Sequence, residues 1–251
     1  MGDGEWIYGR NPVLEVMRAG SREVQKIRIA SGVEMAGPLA EIMERAERNG
    51  VGVDRLPRAE LDRVTDNHQG VLALASEYRY VSLDEILGHA SSTEEAPFLL
   101  LLDMVQDPQN LGTLLRTAEA VGVHGVIIPT KRSATVTPAV VSASSGASEH
   151  IRIAQHNLAQ AIRTLKEQGV WVAGLEGARQ ARPLQEVDLS GPIALVVGHE
   201  GSGMRRLVQE SCDYLVRIPM RGSVESLNAA VAGSIALFHV WQKREFPGAS
   251  A

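Results

Sequence analysis

The sequence predicts an α/β protein: a mostly parallel sheet in the longer C-terminal part, preceded by a smaller α/β unit. Two observations carry this reading. Apolar runs of strand length, such as "FLLLL" from Phe98 and "IALVV" from Ile193, alternate with amphipathic stretches of helix length. That alternation breaks once, at the acidic stretch "VSLDEILGHASSTEEAP" from Val81 to Pro97. The expected boundaries are residues 1–78 for a first domain, 79–96 for an acidic linker with at most one short helix, and 97–251 for a second domain.

In the first domain, Asn11-Pro12 reads as an N-cap followed by proline at the first helical position, with Val13, Leu14, Val16 and Met17 as the apolar stripe. "VQKIRIA" follows as a strand, "GPLAEIMERAERNG" as a helix, "VGVDRLP" as a strand, "RAELDRV" as a helix and "GVLALAS" as a strand. Beyond the linker, "FLLLLDMV", "GVIIP", "HIRIA", "VWVAGLEG", "IALVVGHEG" and "YLVRIPM" read as strands. Between and after them, "LGTLLRTAEAVG", "TPAVVSASSGAS", "LAQAIRTLKEQG", "MRRLVQES" and the apolar stretch from Ser226 to Gln242 read as helices. Strands joined by helices imply parallel pairing.

Composition narrows the function classes. Cys212 is the only cysteine of 251 residues, which excludes an intrachain disulfide and a cysteine-based zinc cluster. The seven histidines lack paired ligand spacing, so no metal is expected. No signal-like run opens the sequence and no clear membrane span follows, so a cytoplasmic protein without membrane attachment is expected. The net charge of −5 argues against a protein that coats nucleic acid nonspecifically. Residues 81–96 carry four acidic and no basic side chains, so much of that charge belongs to the linker.

In an open parallel sheet, ligands bind at the carboxyl ends of the strands. The loops "DMVQDPQNLG", "GLEG", "GHEGSG" and "IPMRGSVESLN" should therefore converge, and each combines glycine with an acidic or amide residue. Each has a plainer local reading. Asn110 is also a candidate helix cap, Glu200 a first-turn carboxylate, and Arg116 a solvated helix arginine. Ser226 and Asn228 stand where the last helix begins, as caps or as ligand contacts.

Taken together, "DMVQDPQNLGTLLRTAEAVGVHGVI", "LVVGHEGSGMRRLVQESCD" and "IPMRGSVESLNAAVAGSIALF" resemble, in order and spacing, the three motifs of the SpoU (TrmH-like) RNA ribose 2′-O-methyltransferases of the SPOUT superfamily. "IYGRNPVLEVMRAG" and "HQGVLALAS" look like the ribosomal-protein-L30e-like domain that precedes the catalytic domain in such enzymes. The resemblance implies a trefoil-knotted C-terminal domain, which no periodicity shows and which the general rule against knots disfavours. It also implies S-adenosylmethionine as cofactor, RNA as substrate, and a homodimer whose active site draws on both chains.

By position, the resemblance assigns Leu175, Gly177, Val197, Gly198, Gly201, Ile218, Met220 and Leu227 to the cofactor pocket. It assigns Asn110, Arg116, Glu200, Ser226 and Asn228 to catalysis and substrate handling. The resemblance implies a guanosine of 23S ribosomal RNA as the target. A transfer RNA target and a catalytically inactive RNA binder are the alternatives. One departure is Ala230, where the family motif usually has serine. Arg10, His68 and Gln69 lie outside the apolar stripes of the first domain and are candidates for RNA contact or for plain surface roles.

A guanidinium is a very weak acid, so Arg116 fits a cation that stabilises a developing alkoxide better than a free base. In the final helix, Leu227, Val231, Ile235, Phe238 and Trp241 form one apolar stripe, and Ala230, Gly233, Leu237 and Val240 another. Two stripes exceed what packing on one sheet face requires, which points to a dimer interface.

Overall fold

The computed structural model describes residues 4–177, 180–223 and 226–249. The chain forms two compact units. The first runs to Arg79 and includes a later segment, Thr135–His150; the second holds the rest.

The first unit contains β1 (Glu5–Tyr8), α1 (Arg10–Ala19), β2 (Val24–Ala30), α2 (Pro38–Arg48), β3 (Gly52–Leu56), α3 (Arg58–Asp62) and β4 (Val71–Ala75). Its sheet runs in the order β1-β4-β2-β3, with β2 and β3 parallel and β4 antiparallel to both of its neighbours. α1 begins two residues earlier than Asn11-Pro12 suggests, at Arg10. Gly9, at φ 95, is its N-cap and offers no side-chain bond. The short β1 is absent from the sequence reading because "EWIY" buries only Ile7 fully.

The second unit opens with α4 (Leu83–Ser92), which lies in the stretch expected to be a linker. Ser82 accepts the Glu85 N–H and Glu85 accepts the Ser82 N–H, a capping box that fixes the start of this helix. Leu83 and Ile86 are buried in the core of the unit. Next come β5 (Phe98–Leu102), α5 (Pro108–Ala120) and β6 (Gly125–Ile128). The chain then leaves for α6 (Pro138–Ala143), which belongs to the first unit.

It returns with β7 (Ile153–Gln155), α7 (Leu158–Glu167), β8 (Trp171–Leu175), β9 (Arg182–Pro183) and β10 (Ile193–Val197), and ends with α8 (Arg206–Ser211), β11 (Tyr214–Arg217) and α9 (Ala229–Lys243). The sheet order is β7-β6-β5-β10-β8-β11-β9, and every described pairing is parallel. Central β5 and β10 are buried along their whole length, as strands covered on both faces must be. The two-residue β9 is the one strand of this sheet that the apolar pattern does not reveal.

The small-residue segment after β6 departs most from expectation. α6 stops at Ala143, Ser145 and Gly146 take positive φ, and a 3-10 turn covers Ala147–Glu149. A Cβ on Gly146 would collide with the Glu15 side chain of α1, so the segment seats closely against the first unit. Arg22, with a fully buried side chain, ties the turn down through Glu149 at 3.4 Å and reaches Glu5 at 2.5 Å.

Candidate active site

α9 lies on α5 through a glycine. A Cβ on Gly233 would come within 2.5 Å of Leu114 Cδ2, so the two helices approach as closely as Gly233 allows. One turn away, the Thr117 and Ser234 hydroxyls meet at 2.9 Å and supply a polar link between the same helices. Ala230, the departure from the family motif, is buried and donates its N–H to Asn228 Oδ1 at 2.9 Å.

That bond belongs to a larger arrangement at the start of α9. Asn228 Oδ1 also accepts from Val231 N at 3.2 Å, which makes Asn228 the N-cap. With its oxygen committed to two backbone donors, the amide must turn its NH2 group outward. Nδ2 donates to Glu200 Oε2 at 2.8 Å and to Asn110 Oδ1 at 3.1 Å. One side chain thus starts the helix and joins the first turn of α5, where the loop after β5 ends, to the loop after β10.

Those two loops are pinned to each other at a second point. Asp103 is fully buried; it accepts from Arg205 N and Arg205 Nε, each at 2.7 Å. The loop after β10 closes on itself, with His199 and Gly203 exchanging backbone hydrogen bonds at 3.0 Å. Gly198 is required there, because a Cβ would lie 2.5 Å from the Gly203 carbonyl carbon. Ser202 Oγ meets His199 Nδ1 at 3.1 Å.

The strand-end loops enclose a cavity of about 750 Å³. Leu175, Gly177, Val197, Gly198, Gly201, Ile218, Met220 and Leu227 all line it, together with Glu200 and Ser226. It is also lined by Glu176, His199, Gly203, Arg217, Ala229 and Ala232, which the sequence reading did not single out. The carboxyl-end rule could have found three of them: Glu176 follows β8 directly, Arg217 closes β11, and His199 lies just past β10. A second cavity, of about 390 Å³, is lined by Asn110 and by residues of the loop preceding α5, and it shares His199, Glu200 and Ala229 with the first. Arg116 stands exposed on α5 and lines neither cavity.

In the first unit, Gln69 is exposed, and its backbone sits at φ 51. Its carbonyl accepts Arg10 Nε at 3.1 Å and its side-chain oxygen accepts Arg10 N at 3.1 Å. His68 requires a correction, since neither a surface role nor a direct RNA contact fits its position. The ring is fully buried. Nδ1 accepts the Gly70 N–H at 2.7 Å, so the proton is on Nε2 and is donated to Asp62 Oδ1 at 2.9 Å. His68 shapes the loop that presents Gln69.

Among the described residues, no group of three or more His, Cys, Asp or Glu side chains gathers to hold a metal ion. No described helix is long and apolar enough to cross a membrane.

A parallel sheet with a glycine-lined cavity at its carboxyl edge and an amide-carboxylate cluster beside it is the layout of an α/β enzyme acting on a small polar ligand. Comparison with known proteins narrows the class. Residues 97–238 match the SpoU rRNA methylase family, and residues 6–81 match the RNA 2′-O ribose methyltransferase substrate-binding family. The chain belongs to the SpoU methylase family of RNA methyltransferases.

Bacillus subtilis YacO is 40% identical over 242 residues, covering 96% of each chain. A protein of Staphylococcus aureus strain COL is 41% identical over 244 residues, covering 96% of this chain and 97% of its own. Both carry an assignment to the TrmH family of tRNA/rRNA methyltransferases. Among solved structures, the AdoMet-bound rRNA methyltransferase of Sinorhizobium meliloti aligns with a TM-score of 0.78 at 26% identity, covering 95% of this chain and 87% of that one. The SpoU methyltransferase AviRb of Streptomyces viridochromogenes shares the fold at a TM-score of 0.79 and 22% identity, covering 96% and 90%.

Proposed function

We propose that this protein methylates a ribose 2′-hydroxyl of RNA with S-adenosylmethionine, that a guanosine of 23S ribosomal RNA is the target, and that the working form is a cytoplasmic homodimer. The observation that carries the reading is the Asn228 amide, which joins Glu200 and Asn110 at the rim of the larger cavity. The cavity also suits the cofactor. At about 750 Å³ it falls within the range of small-molecule sites. Glu176 and Glu200 suit a ligand with an ammonium and a sulfonium, and Arg217 suits its carboxylate.

When bound, S-adenosylmethionine supplies an electrophilic methyl group on sulfur. The protein's part is alignment and activation of the hydroxyl. Orienting the reactants is worth roughly 7–11 kcal/mol. Glu200, Asn110 and Asn228 form a linked wall that holds the approach fixed, and Leu175, Val197, Ile218, Met220 and Leu227 give the cavity apolar surface for a nucleoside base. The hydroxyl proton passes to a neighbouring phosphate of the RNA substrate, and the cationic Arg116 guanidinium stabilises the oxygen as its charge develops.

Because Arg116 lines neither cavity of its own chain, we assign it to the active site of the partner chain in the dimer. The exposed stripe of α9 supports that assembly. Val231, Ile235 and Phe238 are 47%, 42% and 47% exposed, while Gly233, Ala236, Leu237 and Val240 on the other face are buried. In the first unit, Arg10 and Gln69 are the proposed RNA contacts.

Mapping 2′-O-methylated positions in ribosomal and transfer RNA incubated with the protein and cofactor tests the target. A single new methylated guanosine in 23S RNA is expected. Modification of transfer RNA alone overturns the ribosomal assignment, and no modification overturns the reaction.

A further inference from the structure

We propose that the open face of the first unit's sheet is a stacking platform for unpaired RNA bases. The inference rests on the function proposed above and adds the structural class of RNA that this unit reads. Side chains alternate along a strand, so each strand shows a different set of residues to each face. α1 packs on β1 and β4 and α2 on β3, and Ile7, Ile27, Ile29 and Ala73 point into that helical layer, all buried. Their neighbours point the other way. The registers put Trp6, Leu74 and Lys26 in one row across the second face, and Tyr8, Leu72, Arg28 and Asp54 in the next. α3 covers one end of this face, where Leu61 clusters with Ala30 and Leu72. Trp6, Tyr8, Lys26 and Arg28 stay partly exposed.

These are the side chains that hold single-stranded RNA. Arg28 reaches across β4 and lays its guanidinium over the Trp6 ring, 4.4 Å from the centroid. Its Nε is buried with no hydrogen-bond partner among the described residues. The carboxylate beside it in register, Asp54, is engaged by Lys26 at 2.6 Å. A cation with an unspent donor thus stands among aromatic rings on a four-stranded sheet. Unstacked bases are read by lying on aromatic rings or guanidinium planes, and a sheet face carrying aromatics is one established way to offer them. Trp6 and Tyr8 are about 7 Å apart along β1 by strand rise, so each ring takes its own base while Arg28 meets a phosphate or a base edge. A duplex, whose bases are already stacked on each other, gains nothing from the rings. The platform is continuous with the RNA contacts proposed above: Arg10 lies two residues past Tyr8, and Gln69, to which it is bonded, lies two residues before β4.

The test uses the full chain and a fluorescein-labelled, unstructured RNA strand of about a dozen nucleotides, alone and as the duplex with its complement. Anisotropy is measured at one fixed salt concentration, because phosphate contacts bind RNA of either form. The wild type should bind the single strand at least tenfold more tightly than the duplex. Trp6→Ala and Arg28→Gln should each remove that preference, and Trp6→Phe, which keeps a ring, should retain most of it. Irradiation of the wild type with the same strand carrying 5-bromouridine, followed by mass spectrometry, should place the cross-link on Trp6 or Tyr8, a result that depends on no variant folding. Equal affinity for strand and duplex, an unchanged preference in Trp6→Ala, or cross-links confined to residues off this face overturn the inference. None of these measurements needs methyl transfer. A wild type that methylates no RNA loses the proposed function, and the oligonucleotide results still decide the platform.

Discussion

Asn228 Nδ2 donates to Glu200 Oε2 at 2.8 Å while Asn228 Oδ1 caps α9, so the helix start and the active-site wall depend on the same amide. The two duties can be separated by mutation.

Asn228→Asp keeps an oxygen for the Ala230 and Val231 N–H groups but sets a carboxylate against Glu200. Methyl transfer should fall at least a hundredfold with the melting temperature nearly unchanged. Asn228→Ala loses both duties, and loss of a cap costs about 1 kcal/mol, equivalent to about 2–4 °C in a chain of this size. Thermal denaturation beside initial rates distinguishes the pair. Wild-type turnover in Asn228→Asp would exclude the bridge from catalysis.

Gly198 tests the loop that forms the cavity wall. In Gly198→Ala the new methyl meets backbone, Gly203 C and Met204 N at 2.5 Å, where no side chain can rotate away. Overpacking of this kind costs about 1–3 kcal/mol. Calorimetry should show at least a tenfold loss of S-adenosylmethionine affinity, and unchanged affinity would mean that the loop does not shape the site.

His124 gives the fold a predictable sensitivity to acid. Burial holds its pKa below the usual value near 6.5. Nδ1 accepts the Phe98 N–H at 3.0 Å, a bond that protonation breaks, and Nε2 lies 3.0 Å from Thr93 Oγ1. A depressed histidine pKa contributes stability that is complete above the unfolded value and is lost as pH falls through the folded one. Melting temperature should therefore drop between about pH 7.5 and about pH 5.5. His124→Asn, which keeps an acceptor but does not titrate, should show a smaller drop. His89 and His239 are also shifted downward by burial, so part of the slope remains. Equal slopes in the two proteins would remove His124 from the account.

The exposed stripe of α9 yields a prediction about assembly. Val231→Glu combined with Ile235→Glu should convert a dimer into a monomer by sedimentation at micromolar concentration and should abolish methyl transfer, because each site then lacks the partner's Arg116. A wild-type protein that sediments as a monomer contradicts the proposed dimer.

The sheet was legible because buried parallel strands must be apolar throughout, as in β5 and β10. β1 and β9 were not, since four mixed residues and an Arg-Pro pair carry no periodic signal. Nor did composition show that Thr135–His150 belongs to the first unit: its small residues suit packing against either, and the decisive partners are Glu15 and Arg22, more than a hundred positions away. His68 misled for a related reason. It lies off the apolar stripes, yet it is buried with both ring nitrogens satisfied, by a turn N–H and by the Asp62 carboxylate. At Asn228, local rules supply only the cap, while its outward NH2 gains meaning once the first turn of α5 and the loop after β10 are seen to meet.

Where the methyl group goes decides whether this cluster of loops carries ribose methyl transfer. Protein, S-adenosylmethionine tritiated in the methyl group and unmethylated ribosomal RNA are incubated together, and the RNA is digested with alkali, which spares only linkages next to a 2′-O-methyl ribose. Label is expected in alkali-resistant dinucleotides with the wild type and none with Arg116→Ala, whose cofactor affinity stays nearly unchanged. Label confined to alkali-sensitive mononucleotides, or wild-type turnover by Arg116→Ala, would contradict it.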